Sequence, residues 1–102
     1  MKIATTYKNG EIFERFSDAE QFKVYNTEGN KIISCDVVST NGRKQEALLG
    51  FLNLLGVNLL ICNGISDSAK KKLEGKGIEI QTGKCGNCDA VITAFLSEIQ
   101  IN

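Results

Sequence analysis

Among 102 residues there is no histidine and no proline, and twelve basic side chains cancel twelve acidic ones. Without imidazole, the one side chain that titrates near neutral pH unaided, a Cys–His hydrolase and any histidine-coordinated metal are excluded. Chemistry, if present, must use thiols, carboxylates, lysines or a bound cofactor. Zero net charge argues against nucleic acid, whose affinity comes mostly from a basic surface meeting phosphates. The single basic run, Lys70-Lys71-Lys72, reads as a solvated helix face.

Long apolar runs are also missing. The opening MKIATTY lacks the apolar core of a signal peptide, and the longest apolar stretch, 54–62, is broken by Gly56 and Asn58. The expectation is a cytoplasmic protein without a membrane span. Thiols stay reduced there, so the four cysteines are not read as two disulfides.

What is present is regular patterning. KIATTY (2–7) alternates and is rich in β-branched residues, as a strand does. Residues 8–20 form an irregular excursion, with Phe13, Phe16 and later Phe22 pinning it to the core. QFKVYN (21–26), the turn TEGN and KIISCDVVS (31–39) predict an antiparallel hairpin. In its second strand Ile33, Cys35 and Val37 share a face, which is expected to be buried.

The period then becomes helical. Leu48, Phe51, Leu52 and Leu55 fall on one face, with Gly56 as the stop. VNLLIC (57–62) is apolar throughout, as suits a strand buried on both faces. Ser66 is the expected N-cap of a helix whose stripe is Ile65, Ala69 and Leu73. GIEIQ (77–81) is a fifth strand, and Ile92, Phe95, Leu96 and Ile99 give the last helix its buried face. The right-handed crossover rule makes the late strands parallel, with helices covering the sheet. One three-layer α/β domain accounts for residues 1–102.

Ligands of such sheets bind beyond the carboxyl ends of the parallel strands. Cys62 closes one of these strands, and Cys85-Gly86-Asn87-Cys88 follows the next and leads into the last helix. If the strands are neighbours, three thiols crowd one rim. There the amides of residues 83–87 and a helix N-terminus would favour thiolate and anions. Cys85 and Cys88 are therefore the first candidate metal or cluster ligands, with Gly86 and Asn87 supplying backbone contacts. Asn87 is also a candidate helix cap. Cys62 is a second-rank ligand, since a cysteine that ends a buried strand is more often a small core residue, and Cys35 reads as core. A lone C-x-x-C does not close a tetrahedral zinc site. Thiol–disulfide exchange is the alternative chemistry, although no proline is available to answer the motif as in thioredoxins. Asp89 reads as a first-turn partner of the helix dipole. Tyr7 and Tyr25 read as packed or rim aromatics. The first strand carries no acid, which argues against metal-dependent nuclease chemistry.

Three stretches together resemble one family. MKIATTYKNGEIFERFSDAEQFKVY resembles the opening of the dinitrogenase iron–molybdenum cofactor biosynthesis family, of NifX, NafY and NifB C-terminal type. GFLNLLGVNLLICNGISDSAKKKLEGKGIEI is similar to its middle, and GKCGNCDAVITAFL to its closing glycine-rich motif. The resemblance covers nearly all of residues 1–99. It implies a ribonuclease-H-like fold, a five-stranded mixed sheet with three helices. It also implies a non-catalytic role: binding and carrying an iron–sulfur cofactor or an iron–molybdenum cofactor precursor, with a cofactor-synthesising or cofactor-receiving protein as partner. Members commonly carry histidines where this chain reads Phe16-Ser17-Asp18-Ala19 and Asn41-Gly42-Arg43-Lys44. Asp18 takes the first histidine's place with a harder oxygen ligand, and Arg43 and Lys44 are candidates to meet an anionic cargo electrostatically. A family member that binds no ligand is a further alternative.

Overall fold

A run of residues apolar on both sides forms the centre of a sheet only if both faces are covered, and this chain supplies three helices to do it. The computed structural model describes residues 1–44 and 46–98. In chain order its elements are β1 (Lys2–Thr6), β2 (Gln21–Glu28), β3 (Lys31–Ser39), α1 (Glu46–Leu54), β4 (Leu59–Ile61), α2 (Asp67–Gly75), β5 (Glu79–Gln81) and α3 (Cys88–Glu98). A 3-10 turn at Phe16–Asp18 interrupts the segment between β1 and β2. Ile99, expected on the buried face of the last helix, lies outside the described residues.

The strands form one sheet in the order β3-β2-β1-β4-β5. β1 runs antiparallel to β2 and parallel to β4, and β5 continues the parallel side. The result is a mixed, five-stranded, three-layer α/β arrangement. Alternation sorts the side chains. Ile3, Leu59 and Ile61 point to α3, whereas Ala4, Leu60 and Cys62 point to α1 and α2. On the two-helix face they meet Phe16, Phe22, Leu48, Leu52 and Leu73; on the one-helix face they meet Tyr25, Ile92 and Leu96.

The irregular segment before β2 is held by the backbone as well as by Phe16. Gly64, in the turn after β4, donates to the carbonyl of Glu14 at 3.0 Å and accepts from the amide of Phe16 at 2.9 Å. A Cβ at this glycine would sit 3.1 Å from the same Glu14 carbonyl, a tight contact that the absent side chain avoids. Ser66 then caps α2, its hydroxyl accepting from the amide of Ala69 at 3.2 Å.

One expectation fails. Cys35 is exposed, as are Ile33 and Val37, at 60% and 42% of their full surface. β3 is the outer strand, and no residue of it joins the cluster under α3. Alternation showed that the three side chains share a face; it could not show whether a helix lies over that face.

Candidate functional site

The carboxyl ends of β1, β4 and β5 point to one rim, together with the start of β2 and the end of β3. Four connecting segments therefore meet there: 7–20, 40–44, 62–66 and 82–87. The segment 82–87 is folded onto the first of these. Ile12 donates to the carbonyl of Gly86 at 2.9 Å, and Cys88 donates its amide to the carbonyl of Gly10 at 3.0 Å. Gly86 has φ 95°, so the turn between the two cysteines needs a residue that enters left-handed space freely. Deeper in the loop, Gly83 donates to Asn63 and Lys84 to the carbonyl of Cys62. The amides of Cys85, Gly86 and Asn87 make no hydrogen bond among the described residues.

The two cysteines of the motif differ sharply. Cys85 is exposed, while Cys88 is 1% exposed and belongs to the cluster under α3. The hydroxyl of Thr5 donates to the Cys88 sulfur at 3.4 Å, and that sulfur lies 3.7 Å from the carbonyl of Thr6. Burial pushes the Cys88 thiol up from its ordinary value, outweighing the bond from Thr5. Of the two candidate ligands, only Cys85 therefore stands open to solvent. The signal was in the sequence: Cys88 precedes Ile92 by four residues and Leu96 by eight, which puts it on the helix's buried stripe. Asn87, as expected, caps this helix, its side-chain oxygen accepting from the amide of Ala90 at 2.9 Å.

Cys62 is fully buried on the opposite face of the sheet, among the residues under α1 and α2. Its thiol is pushed up to about 11 by burial. The sheet therefore separates Cys62 from Cys88, and the crowding of three thiols at one rim does not occur. Among the described residues no three acidic or thiol side chains converge on a point where a bare metal ion would sit.

The remaining candidates lie elsewhere on the rim. Asp18, Arg43 and Lys44 line a cavity of about 250 Å³ between the 3-10 turn and the end of β3. Asp18 lies 3.9 Å from Arg15, an exposed pair of little energetic weight. The Arg43 guanidinium sits 4.3 Å from the centre of the Phe51 ring and donates to the carbonyl of Thr40, so it is held against α1. A larger cavity, of about 410 Å³, opens beside it between Phe16 and the starts of α1 and α2. Leu48, Leu49, Ile65 and Ala69 line it along with Arg15, and the Glu46–Lys72 ion pair borders it.

A polar cluster that local patterns could not indicate anchors the start of α3. Asp89 accepts from Lys23 at 2.8 Å and from the Tyr25 hydroxyl at 2.6 Å. The Lys23 ammonium also lies over the rings of Tyr7 and Tyr25. These bonds hold the Asp89 carboxyl below its usual range, first through Lys23 and then through Tyr25. Tyr25 is pushed well up, mainly by burial and then by its bond to Asp89. Asp89 is thus a cross-sheet anchor as well as an acid in the first turn.

Comparison with known proteins agrees with this architecture. A structure of the protein PH0822 superposes with a TM-score of 0.92 at 23% identity, over 96% of this chain and 90% of that one. A proposed dinitrogenase, MJ0327 of Methanocaldococcus jannaschii, gives a TM-score of 0.79 at 26% identity, over 97% and 90%. A proposed NifB protein from Thermotoga, TM1290, gives 0.72 at 25%, over 95% and 87%. No protein with a curated description matches the chain. The sequence profile described as dinitrogenase iron-molybdenum cofactor matches residues 1–98, so the chain belongs to that family.

Proposed function

We propose that this protein is a non-catalytic carrier or accessory protein for an iron–sulfur or iron–molybdenum-type cluster, or its precursor, held at the carboxyl rim through Cys85. The observation that carries the reading is the exposed Cys85 thiol in a turn where three successive amides lack partners among the described residues. A metal of the cargo would displace the thiol proton, and the amides of Cys85, Gly86 and Asn87 would offset the negative charge of cluster sulfides. Membership of a family described by the iron-molybdenum cofactor supports this class of cargo.

One open thiol suits a carrier better than a resident site. A cluster that brings its own sulfide needs few protein ligands, and the metals left uncoordinated remain open to a second protein. The partner expected on this reading is a cofactor-synthesising or cofactor-receiving protein. Cys88 would support the turn from below through its bond with Thr5. Asp18, Arg43 and Lys44 line a separate cavity and would act on the cargo only through its size or charge. The absence of a helix long and apolar enough to cross a membrane, among the described residues, is compatible with this role.

Anaerobic reconstitution with ferrous iron and sulfide tests it. Visible cluster absorption should appear with the native chain, fall strongly in Cys85→Ser, and persist in a folded Cys88→Ala variant. Equal absorption in Cys85→Ser would overturn the reading. Dithiol exchange is favoured by one observation, an exposed thiol three residues ahead of a buried one. Absence of a chromophore together with insulin reduction would support that second reading.

A further inference from the structure

The two edges of the sheet are unlike. β5, at one edge, has three residues, whereas β3, at the other, has nine and, among the described residues, pairs only with β2. One flank of β3 therefore presents unpaired backbone groups along its whole length. Proteins usually protect such an edge with proline, inward charges or a very short strand. β3 has no proline, and its only charged residues are Lys31 and Asp36. A single irregularity in the pairing with β2, near Ile33, and these two charges are the protection it has.

The exposed face of this strand is also apolar. Ile33 and Val37 are 60% and 42% exposed, Ile32 is 37% exposed, and Cys35 stands open between them. Cys35 is opposite Tyr25 and Val37 is opposite Lys23, so both point to the α3 side of the sheet, beyond the reach of the cluster under α3.

We propose that β3 is an interface between two copies of this chain, which pair antiparallel about a two-fold axis at Cys35. The choice of a second copy rests on self-complementarity in one register. With the axis at Cys35, Ile33 of each copy faces Val37 of the other, Cys35 faces Cys35, and Asp36 faces Ser34. Lys31 falls opposite Ser39, so no like charges are directly opposed. Shifting the axis one residue towards the C-terminus opposes Asp36 to Asp36 and places Ile33 against Ser39. Shifting it one residue the other way sets Asp36 against Ile32 and Lys31 against Val37. Only the central register satisfies apolar matching and charge together. It would join two five-stranded sheets into one of ten and leave the carboxyl rims of both copies uncovered. An interface of one strand per copy falls at the small end of specific contacts, so association is weak and depends on concentration. This inference is independent of what the rim carries.

Sedimentation of the full chain over a range of concentrations tests it, with Val37→Lys as the disrupting variant. Val37 is exposed, so the variant should keep the native circular dichroism and thermal midpoint while losing the dimer. In a Cys85→Ser background, a short bis-maleimide should link two chains through Cys35, and Val37→Lys should abolish the product. A chain that stays monomeric at every concentration overturns the proposal. So does a dimer that survives Val37→Lys, or a cross-link at any other residue.

Discussion

Cys62 and Cys88 are both buried thiols near the same rim, yet they sit on opposite faces of the sheet beneath unequal covers. Cys62 lies under two helices, in a cluster that includes Leu48, Leu52, Leu60 and Leu73. Cys88 lies at the start of a single helix, in a smaller cluster completed by Ile3, Ile61, Ile92 and Leu96. Each fully buried aliphatic side chain contributes roughly 1.5–3 kcal/mol, so the two-helix face holds the larger share of the hydrophobic stabilisation. The one-helix face carries the motif and leaves β3 bare. The stable side of the molecule is a foundation, and the thinner side is where backbone and thiols become available.

Equal truncations on the two faces test this inequality most directly. Leu52→Ala removes a side chain held between α1 and the sheet, with a second helix alongside, and its cavity has little room to collapse. Leu96→Ala leaves a space that one helix can settle into. We expect losses of about 3–5 kcal/mol for the first and about 2–3 kcal/mol for the second, from chemical denaturation. Equal losses would remove the distinction between the faces.

The buried thiols themselves report the next effect. Lifting the first turn of α3 exposes Cys88, whereas Cys62 is reached only by opening the sheet beneath α1 and α2. Under pulsed alkylation in native buffer, Cys35 and Cys85 should modify first, Cys88 next and Cys62 last, as read by peptide mass mapping. Each difference of about 1.4 kcal/mol in opening free energy separates two sites tenfold, and a gap of at least that size is expected between Cys88 and Cys62. Simultaneous modification would mean that the faces open as one unit.

The sequence carried much of this architecture because its signals were local. The hairpin from Gln21 to Ser39, the doubly buried β4 and the Ser66 cap each follow from a pattern within a few residues. The stop of α1 at Gly56 is equally local, and it appears with φ 76°. What was misjudged depended on which helix covers which strand. The alternation of Ile33, Cys35 and Val37 is real, but α3 lies over β1 and β4 and does not extend to β3. The candidate site divides in the same way. The glycine turn and the Asn87 cap were legible, while the bonds of Cys88 and Asp89 join residues more than sixty positions apart. Burial of Cys88 was readable from its spacing to Ile92 and Leu96, once the helical period is extended back to its first residue.

The smallest effect concerns what fastens α3 besides its apolar stripe. Asp89 joins the first turn of the helix to Lys23 and Tyr25 on β2, across the strand between them. Its side chain is 59% exposed, so solvent screening keeps the contribution modest. Asp89→Asn should cost about 0.5–1 kcal/mol near neutral pH. Because the folded-state value of Asp89 is depressed, its contribution is present above the ordinary carboxylate value and lost as pH falls through the folded one. The native chain and Asp89→Asn should therefore converge in stability as the medium is acidified below about pH 4. On the alkaline side, Lys23 is raised by its bond to Asp89, so that half of the link persists until pH exceeds the ordinary lysine range. If the anchor acts on α3 alone, Asp89→Asn should also speed modification of Cys88 while leaving Cys62 unchanged. Acceleration at both thiols would show that the polar link braces the whole sheet rather than its thinner cover.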